Sequence, residues 1–185
     1  ENLYKKIWSN ARKSGKDETL RKAMKINKMT KKIGIDLGGI FFKDIRNLFG
    51  GKMRMIICGG AAINPEILDG IAAFGITALQ GYGLTECAPM GALNPDTAPK
   101  SDALGKPFPG FDARIDNPGE DGIGEICLKG ANIMLGYYQR PDLTAEVIKD
   151  GWFYTGDLGF IDEEGYIHMT GRKKNVIITK NGKNV

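Results

Sequence analysis

The residues best suited to chemistry lie in one short stretch, Gln80-Gly81-Tyr82-Gly83-Leu84-Thr85-Glu86. It follows an apolar run, Ile76–Leu79, that has the length of one buried strand. We expect the two glycines to let the backbone turn through φ values closed to other residues and to approach a ligand. The tyrosine offers a face for a planar ring, and the hydroxyl and carboxylate that follow suit a phosphate and its magnesium. The stretch therefore predicts a nucleotide site, with a tight turn around a core tyrosine as the alternative.

A second stretch of small residues, Gly59-Gly60-Ala61-Ala62, follows an apolar run, Met53–Cys58, that is predicted to be a buried strand. After it, Asn64 is expected to cap a helix that has Pro65 at its first position and ends at Gly75. Small residues here allow either close packing of strand and helix or the approach of a flat ring to bare backbone. The strand–helix–strand order predicts parallel pairing, with a site at the carboxyl ends of the strands.

The composition excludes several classes of protein. The 185 residues fit one domain, or one and part of another. No apolar run approaches the ~20 residues that span a bilayer, and no signal peptide opens the sequence, so a cytoplasmic protein is expected. With His168 as the one histidine, neither a Ser-His-Asp triad nor a multi-histidine metal site can form. Walker and dinucleotide-binding glycine motifs are absent, and three isolated cysteines fit a reducing compartment.

Positive charge is concentrated at the start of the chain. Residues 1–57 hold fifteen of the 26 Lys/Arg but five of the 22 Asp/Glu. Apolar residues at intervals of three and four predict helices over residues 2–14, from a cap at Asp17 to about Lys32, and over Ile40–Phe49. Because basic and apolar residues are interleaved at helical spacing, a solvated helix face is favoured. Peripheral contact with a membrane is the alternative, and nucleic acid is not an expected partner.

From about Leu104 the pattern changes to short strands separated by Gly, Pro and Asp turns. The predicted strands are Asp112–Asp116, Ile123–Lys129, Leu158–Ile161 and Tyr166–Thr170. One helix, Pro141–Lys149, interrupts them. The predicted fold class is α/β: the end of a parallel-sheet α/β large domain, followed by a small β-barrel-like module.

Four motifs resemble those of the adenylate-forming superfamily, which includes acyl-CoA synthetases, nonribosomal peptide adenylation domains and beetle luciferases. They are the GYGLTE string 81–86; Gly124–Ile126 with Gly136–Tyr138, Pro141 and Thr144; the W-x-x-TGD-x-G string 152–159; and the GR-x-K string 171–174. The resemblance is strong over residues 53–185 and thin before them. The basic first helix and the closing residues 179–185 are most similar to the long-chain fatty acyl-CoA synthetase branch. Adenylation of an aryl or amino acid is the alternative.

The resemblance implies an acid–thiol ligase that uses ATP. A carboxylate attacks the α-phosphate to form an acyl-adenylate, and the thiol of coenzyme A then takes the acyl group. The residues that would hold ATP or AMP are Gly60, Ala61, Ala62, Gly81, Tyr82, Gly83, Thr85, Asp157 and Arg172. Adenine would lie at Tyr82 and the Gly60–Ala62 loop, and the ribose at Asp157, whose two oxygens suit two hydroxyls, and Arg172. Thr85 and Glu86 are the catalytic candidates, with Glu86 as the Mg²⁺ ligand.

The same resemblance divides the chain into three parts. Residues 1–103 would end the α/β large domain, 104–171 would form its β-rich module, and 172–185 would be the hinge and first strand of a small C-terminal domain. Lys174 matches the hinge position. The family's phosphate loop would precede residue 1 and its adenylation lysine would follow residue 185, so we expect an internal piece that is inactive alone. A non-catalytic nucleotide-binding or scaffold module is the alternative.

Overall fold

The structure, a computed structural model, describes residues 2–60 and 63–173. Ala61 and Ala62 of the small-residue loop and the hinge candidate Lys174 lie outside the described residues. The chain forms two compact units, the first ending at Gln80 and the second beginning at Gly81. The predicted division at 103/104 and 171/172 refers to the domains of a larger enzyme and stays a prediction.

The first unit is mostly helical. Its elements are α1 (Asn2–Lys13), α2 (Asp17–Lys31), α3 (Gly38–Phe41), α4 (Lys43–Leu48), β1 (Met55–Cys58), α5 (Pro65–Ala73) and the first part of β2 (Thr77–Gly83). The two long helices confirm the prediction, whereas the third predicted helix is divided at Phe42, a core residue that is 2% exposed. The expected cap at Asp17 is wrong: Lys16 occupies the cap position without a side-chain cap bond. Asp17 instead lies in the first turn, where its negative charge is favourable.

A buried amide ties the helices of this unit together. The Asn27 side chain is fully buried, and its Nδ2 donates to the Ala73 carbonyl at 2.9 Å and to Asp36 Oδ1 at 3.1 Å. Its Oδ1 accepts from the Leu37 N–H at 2.6 Å. Burial alone would raise the pKa of Asp36, but hydrogen bonds from the Gly38 N–H and Asn27, with Lys31 nearby, hold it below its ordinary value. Such a satisfied buried network fixes the loop between α2 and α3.

The strand–helix–strand unit forms as the sequence predicts. β1 and β2 pair in parallel, from Met55 opposite Thr77 to Cys58 opposite Gln80. Asn64 caps α5 by accepting the Glu66 N–H at 2.9 Å, and Pro65 is the first helical residue. The expectation that Met53–Cys58 is buried is wrong: the strand begins at Met55, and Ile57 is 50% exposed. Alternation explains this, because Ile56 and Cys58 pack against the α5 cluster and Ile57 takes the opposite face.

The second unit is a β-structure. Its elements are the end of β2, a 3₁₀ turn (Thr85–Cys87), β3 (Met90–Leu93), β4 (Lys106–Pro107), β5 (Phe111–Asp116), β6 (Gly124–Gly130), α6 (Pro141–Val147), β7 (Ile148–Lys149), β8 (Trp152–Ile161) and β9 (Ile167–Arg172). β5, β6 and β8 are neighbours in one antiparallel sheet, and β7 and β9 both pair with β8. The α/β class and the β-rich module are confirmed. In the described residues, however, parallel pairing is confined to β1 and β2, because β2–β3 and β3–β4 are antiparallel.

The largest differences from the predicted boundaries in this unit are at β8 and α6, whereas β5, β6 and β9 differ by one or two residues. β8 begins at Trp152 rather than Leu158, so the Thr-Gly-Asp motif lies within a strand. α6 ends at Val147, and the two residues after it form β7. Among the described residues, no helix is long and apolar enough to cross a bilayer.

Candidate functional site

The Gly-Tyr-Gly segment continues strand β2 instead of breaking it. Neither glycine has a positive φ, so the expected turn through glycine-only conformations is wrong. The two glycines are needed for closeness: a Cβ at Gly83 would lie 1.7 Å from the Pro89 carbonyl oxygen, and one at Gly81 would lie 3.2 Å from Leu93 Cδ1. The segment is a strand because its backbone pairs with that of β3, which is antiparallel to it. Local sequence does not show this pairing.

Three predicted site residues meet in one cluster, and two of them are buried. The hydroxyl of Tyr82 donates to Asp157 Oδ2 at 2.6 Å, and Arg172 Nε lies 2.8 Å from Asp157 Oδ1. Asp157 stands directly opposite Arg172 in the β8–β9 register. Tyr82 and Asp157 are 7% and 1% exposed, whereas the Arg172 side chain is 55% exposed. Burial, together with the bond to the carboxylate, raises the pKa of Tyr82 well above its ordinary range.

This cluster limits how a ligand reaches Asp157. An ionised carboxylate has about four lone-pair sites, so two remain after the contacts with Tyr82 and Arg172. Asp157 is 1% exposed, and the Arg172 side chain beside it is 55% exposed. The cluster therefore combines a buried carboxylate with a half-exposed basic side chain.

A second network involves Glu125, a residue to which the sequence assigned no task. Its Oε1 accepts the Gly156 N–H at 2.9 Å, and its Oε2 lies 2.8 Å from Lys173 Nζ. The Lys173 N–H in turn donates to the Gly156 carbonyl at 2.8 Å. Gly156 has a φ of +75°, which explains the glycine of Thr-Gly-Asp. The hydrogen bond with Glu125 raises the pKa of Lys173. An acidic residue among the apolar residues of a predicted strand was the available signal for this contact.

Glu86 lies in the 3₁₀ turn beside Thr85, which is exposed. Glu86 Oε1 accepts from the hydroxyl of Tyr137 at 2.9 Å, and its carbonyl accepts the Met134 N–H at 2.7 Å. Within residues 2–60 and 63–173, no group of three or more His, Cys, Asp or Glu is placed to hold a metal ion. A single carboxylate nevertheless fits Mg²⁺, which takes one or two carboxylates and completes its shell with water and substrate phosphates.

The small-residue loop belongs to the first unit. Gly60 follows β1 with a φ of +80°, and a Cβ there would meet nothing within 4 Å. The positive φ is the conformation that favours glycine at this point of the loop. The contribution of Gly60, Ala61 and Ala62 to an adenine pocket stays a prediction.

Comparison with known proteins places the chain in a family. A family model described as AMP-binding enzyme matches residues 9–138. A long-chain-fatty-acid–CoA ligase of Salmonella typhimurium is 40% identical over 145 residues, which cover 74% of this chain and 26% of the relative. A feruloyl-CoA synthase of Amycolatopsis is 38% identical over 142 residues, covering 72% and 28%. The ATP-bound crystal structure of MatB from Rhodopseudomonas palustris is 37% identical with a TM-score of 0.64, covering 76% and 29%.

The chain therefore spans about a quarter of the length of the curated relatives that it matches. The family model covers more than half of the 185 residues and includes the Gly-Tyr-Gly strand, Glu86 and Tyr137. The chain belongs to the AMP-binding enzyme family.

Proposed function

We propose that this chain is the nucleotide-binding segment of an ATP-dependent acyl-CoA ligase, below called the complete ligase. The complete ligase would join a carboxylic acid to AMP and then pass the acyl group to coenzyme A. The observation that carries the proposal is the Tyr82–Asp157–Arg172 cluster. Three separate motifs supply one group each: Tyr82 is 75 residues from Asp157, and Arg172 faces Asp157 from the next strand. The chain that carries them belongs to the AMP-binding enzyme family.

The protein would catalyse both half-reactions by positioning the reactants and stabilising charge. It needs no covalent bond to the acyl group, because AMP carries that group as the acyl-adenylate. Asp157 would accept the ribose hydroxyls, and Arg172 would move to bind the sugar or the adjacent phosphate with its fork of donors. Thr85, which is exposed, would donate to a phosphate oxygen. Glu86 would hold Mg²⁺, which supplies positive charge against the phosphates.

For the acid we propose a long-chain fatty acid. The support is the 40% identity to a long-chain-fatty-acid–CoA ligase. An aryl acid is the alternative, because a feruloyl-CoA synthase matches over a similar length at 38% identity. Pyrophosphate release by the complete ligase, measured with a panel of fatty and aryl acids, separates the two. Faster turnover of an aryl acid than of every fatty acid would overturn the fatty-acid proposal.

Calorimetry of AMP binding to the complete ligase tests the role of Asp157. Asp157→Asn keeps the shape of the side chain but removes its charge. Losing hydrogen bonds to a charged group costs about 1.5–3 kcal/mol each, so AMP affinity should fall roughly 10- to 150-fold per bond. The control is Asp112→Ala, at an exposed position of β5, which should leave affinity unchanged. Equal affinity in Asp157→Asn and wild type, with folding verified by thermal melting, would contradict the role.

A further inference from the structure

We infer that Tyr137 is a positioning residue that holds the Glu86 carboxylate through its hydroxyl, and that Thr144 holds Tyr137 in turn. The inference rests on the proposed function, in which Glu86 is the Mg²⁺ ligand. It gives a role to the motif formed by Gly136–Tyr138, Pro141 and Thr144. The sequence alone indicated no role for these residues.

The first link is the contact between two segments that are 51 residues apart. The hydroxyl of Tyr137 donates to Glu86 Oε1 at 2.9 Å, and the Met134 N–H donates to the Glu86 carbonyl at 2.7 Å. The side chain and the main chain of Glu86 are thus both held by the 134–137 segment. Among the described residues, Glu86 Oε2 has no hydrogen-bond donor, which leaves that oxygen for a cation.

The second link fixes Tyr137 itself. Its backbone N–H donates to Thr144 Oγ1 at 2.9 Å, and the same hydroxyl donates to the Arg140 carbonyl at 2.9 Å. Gly136 packs against Thr144 so closely that a Cβ at Gly136 would lie 2.9 Å from Thr144 Cγ2. Pro141 begins α6 and so sets where Thr144 falls on the first turns of that helix. The chain of contacts runs from α6 through the 136–137 backbone to the carboxylate.

A hydrogen bond of this kind matters for a metal ligand. Ligating carboxylates are themselves hydrogen-bonded in metal sites, and loss of such an outer partner typically costs about 10–100-fold in metal affinity or activity. Tyr137 is half-buried, and its hydroxyl donates to Glu86 Oε1 at 2.9 Å. The phenol is therefore placed as such an outer partner of the carboxylate.

The first test uses the 185-residue chain and needs no catalysis. Urea unfolding of Tyr137→Phe, Glu86→Ala and the double variant reports the contact without nucleotide or metal. Tyr137→Phe should lower the urea midpoint of the wild-type chain and change the midpoint of Glu86→Ala much less, because the acceptor of the hydroxyl is already gone. An equal shift of the midpoint in both backgrounds would show that the contact does not form, and the inference would be overturned.

The second test measures the Mg²⁺ concentration for half-maximal acyl-adenylate formation by the complete ligase. Tyr137→Phe should raise it about 10–100-fold. Transfer from preformed acyl-adenylate to coenzyme A should change much less. The matched control is Tyr138→Phe, because Tyr138 is 89% exposed and its hydroxyl contacts only Gln139 among the described residues. Thr144→Val should reproduce the defect and Thr144→Ser should restore it, since serine keeps the hydroxyl.

The outcomes separate this inference from the proposed function. A complete ligase that is active, with the same Mg²⁺ requirement in wild type and Tyr137→Phe, overturns the inference and leaves the proposed function standing. A complete ligase that forms acyl-adenylate from no carboxylic acid overturns the proposed function, and the inference with it.

Discussion

The bond between Tyr82 and Asp157 should contribute measurably to the stability of the chain. Tyr82→Phe removes a hydroxyl that lies 2.6 Å from Asp157 Oδ2, where both side chains are at most 7% exposed. Hydrogen bonds to charged groups contribute about 1.5–3 kcal/mol, and a buried acceptor left without its donor costs a similar amount. We therefore expect Tyr82→Phe to lower the free energy of unfolding by about 1.5–3 kcal/mol. With an m-value of about 2 kcal/mol/M, the urea midpoint would fall by roughly 1 M.

Tyr166→Phe is the control that separates the effect of the Asp157 charge from the loss of an ordinary hydrogen bond. Tyr166 is 2% exposed, and its hydroxyl donates to the neutral Ala98 carbonyl, so its loss should cost about 0.5–1.5 kcal/mol. In an Asp157→Asn background, Tyr82→Phe should likewise cost only the neutral amount. Trp152 fluorescence, in a Trp8→Phe background, follows the second unit during urea unfolding. If Tyr82→Phe costs no more than Tyr166→Phe in the wild-type background, the reasoning from the carboxylate charge is wrong.

The same bond has a consequence at alkaline pH. The folded protein keeps the Tyr82 phenol protonated where the unfolded chain, with a pKa of about 10, loses the proton. Above about pH 10 the unfolded state therefore binds fewer protons, and stability falls by up to about 1.4 kcal/mol per pH unit. Below that pH the contribution is complete. Tyr82→Phe should remove this part of the alkaline slope, and an unaltered slope would contradict the assignment.

Three further outcomes are expected. Gly83→Ala should lower the free energy of unfolding, measured by urea titration, by more than about 3 kcal/mol, because its Cβ would lie 1.7 Å from the Pro89 carbonyl oxygen. The control is Gly171→Ala, which has open space around the new methyl group and should change the free energy of unfolding by at most about 0.5 kcal/mol. Asp36→Asn should flatten the loss of stability of the first unit below about pH 4, as measured by Trp8 fluorescence. Burial raises the pKa of the Asp36 carboxyl, but its hydrogen bonds and a nearby lysine bring that pKa below the ordinary value. The stability that Asp36 contributes is therefore present above the ordinary pKa and is lost as pH falls. Glu86→Gln in the complete ligase should reduce acyl-adenylate formation steeply and acyl transfer to coenzyme A much less; an equal drop in both half-reactions, measured separately, would mean that Glu86 only supports its loop.

Local signals in the sequence predicted the helical first unit and its strand–helix–strand end. The apolar periodicity of residues 2–14, and the Asn64-Pro65 pair before α5, correspond to contacts within a few residues, such as the Asn64 cap on the Glu66 N–H. Asp17 failed as a cap because it is the first helical residue, which puts Lys16 at the cap position; local sequence fixes a helix end only to within a few residues. The GYGLTE, Thr-Gly-Asp and GR-x-K strings identified the family, because motif recognition depends on residue types and spacing alone.

Tertiary structure decided what those strings do in this chain. Gly-Tyr-Gly and Thr-Gly-Asp resemble turns in sequence, yet both lie in strands, because β3 and β9 supply backbone partners that only long-range pairing brings. Tyr82 and Asp157 are 75 residues apart, and Glu86 and Tyr137 are 51 apart. Periodicity reports which face of an element is apolar, but not which strands become neighbours or in what register. The identity of the family was therefore present in the sequence. The contact of Asp157 with Arg172 was settled by the register of β8 against β9, and the contacts with Tyr82 and Tyr137 were settled by long-range packing.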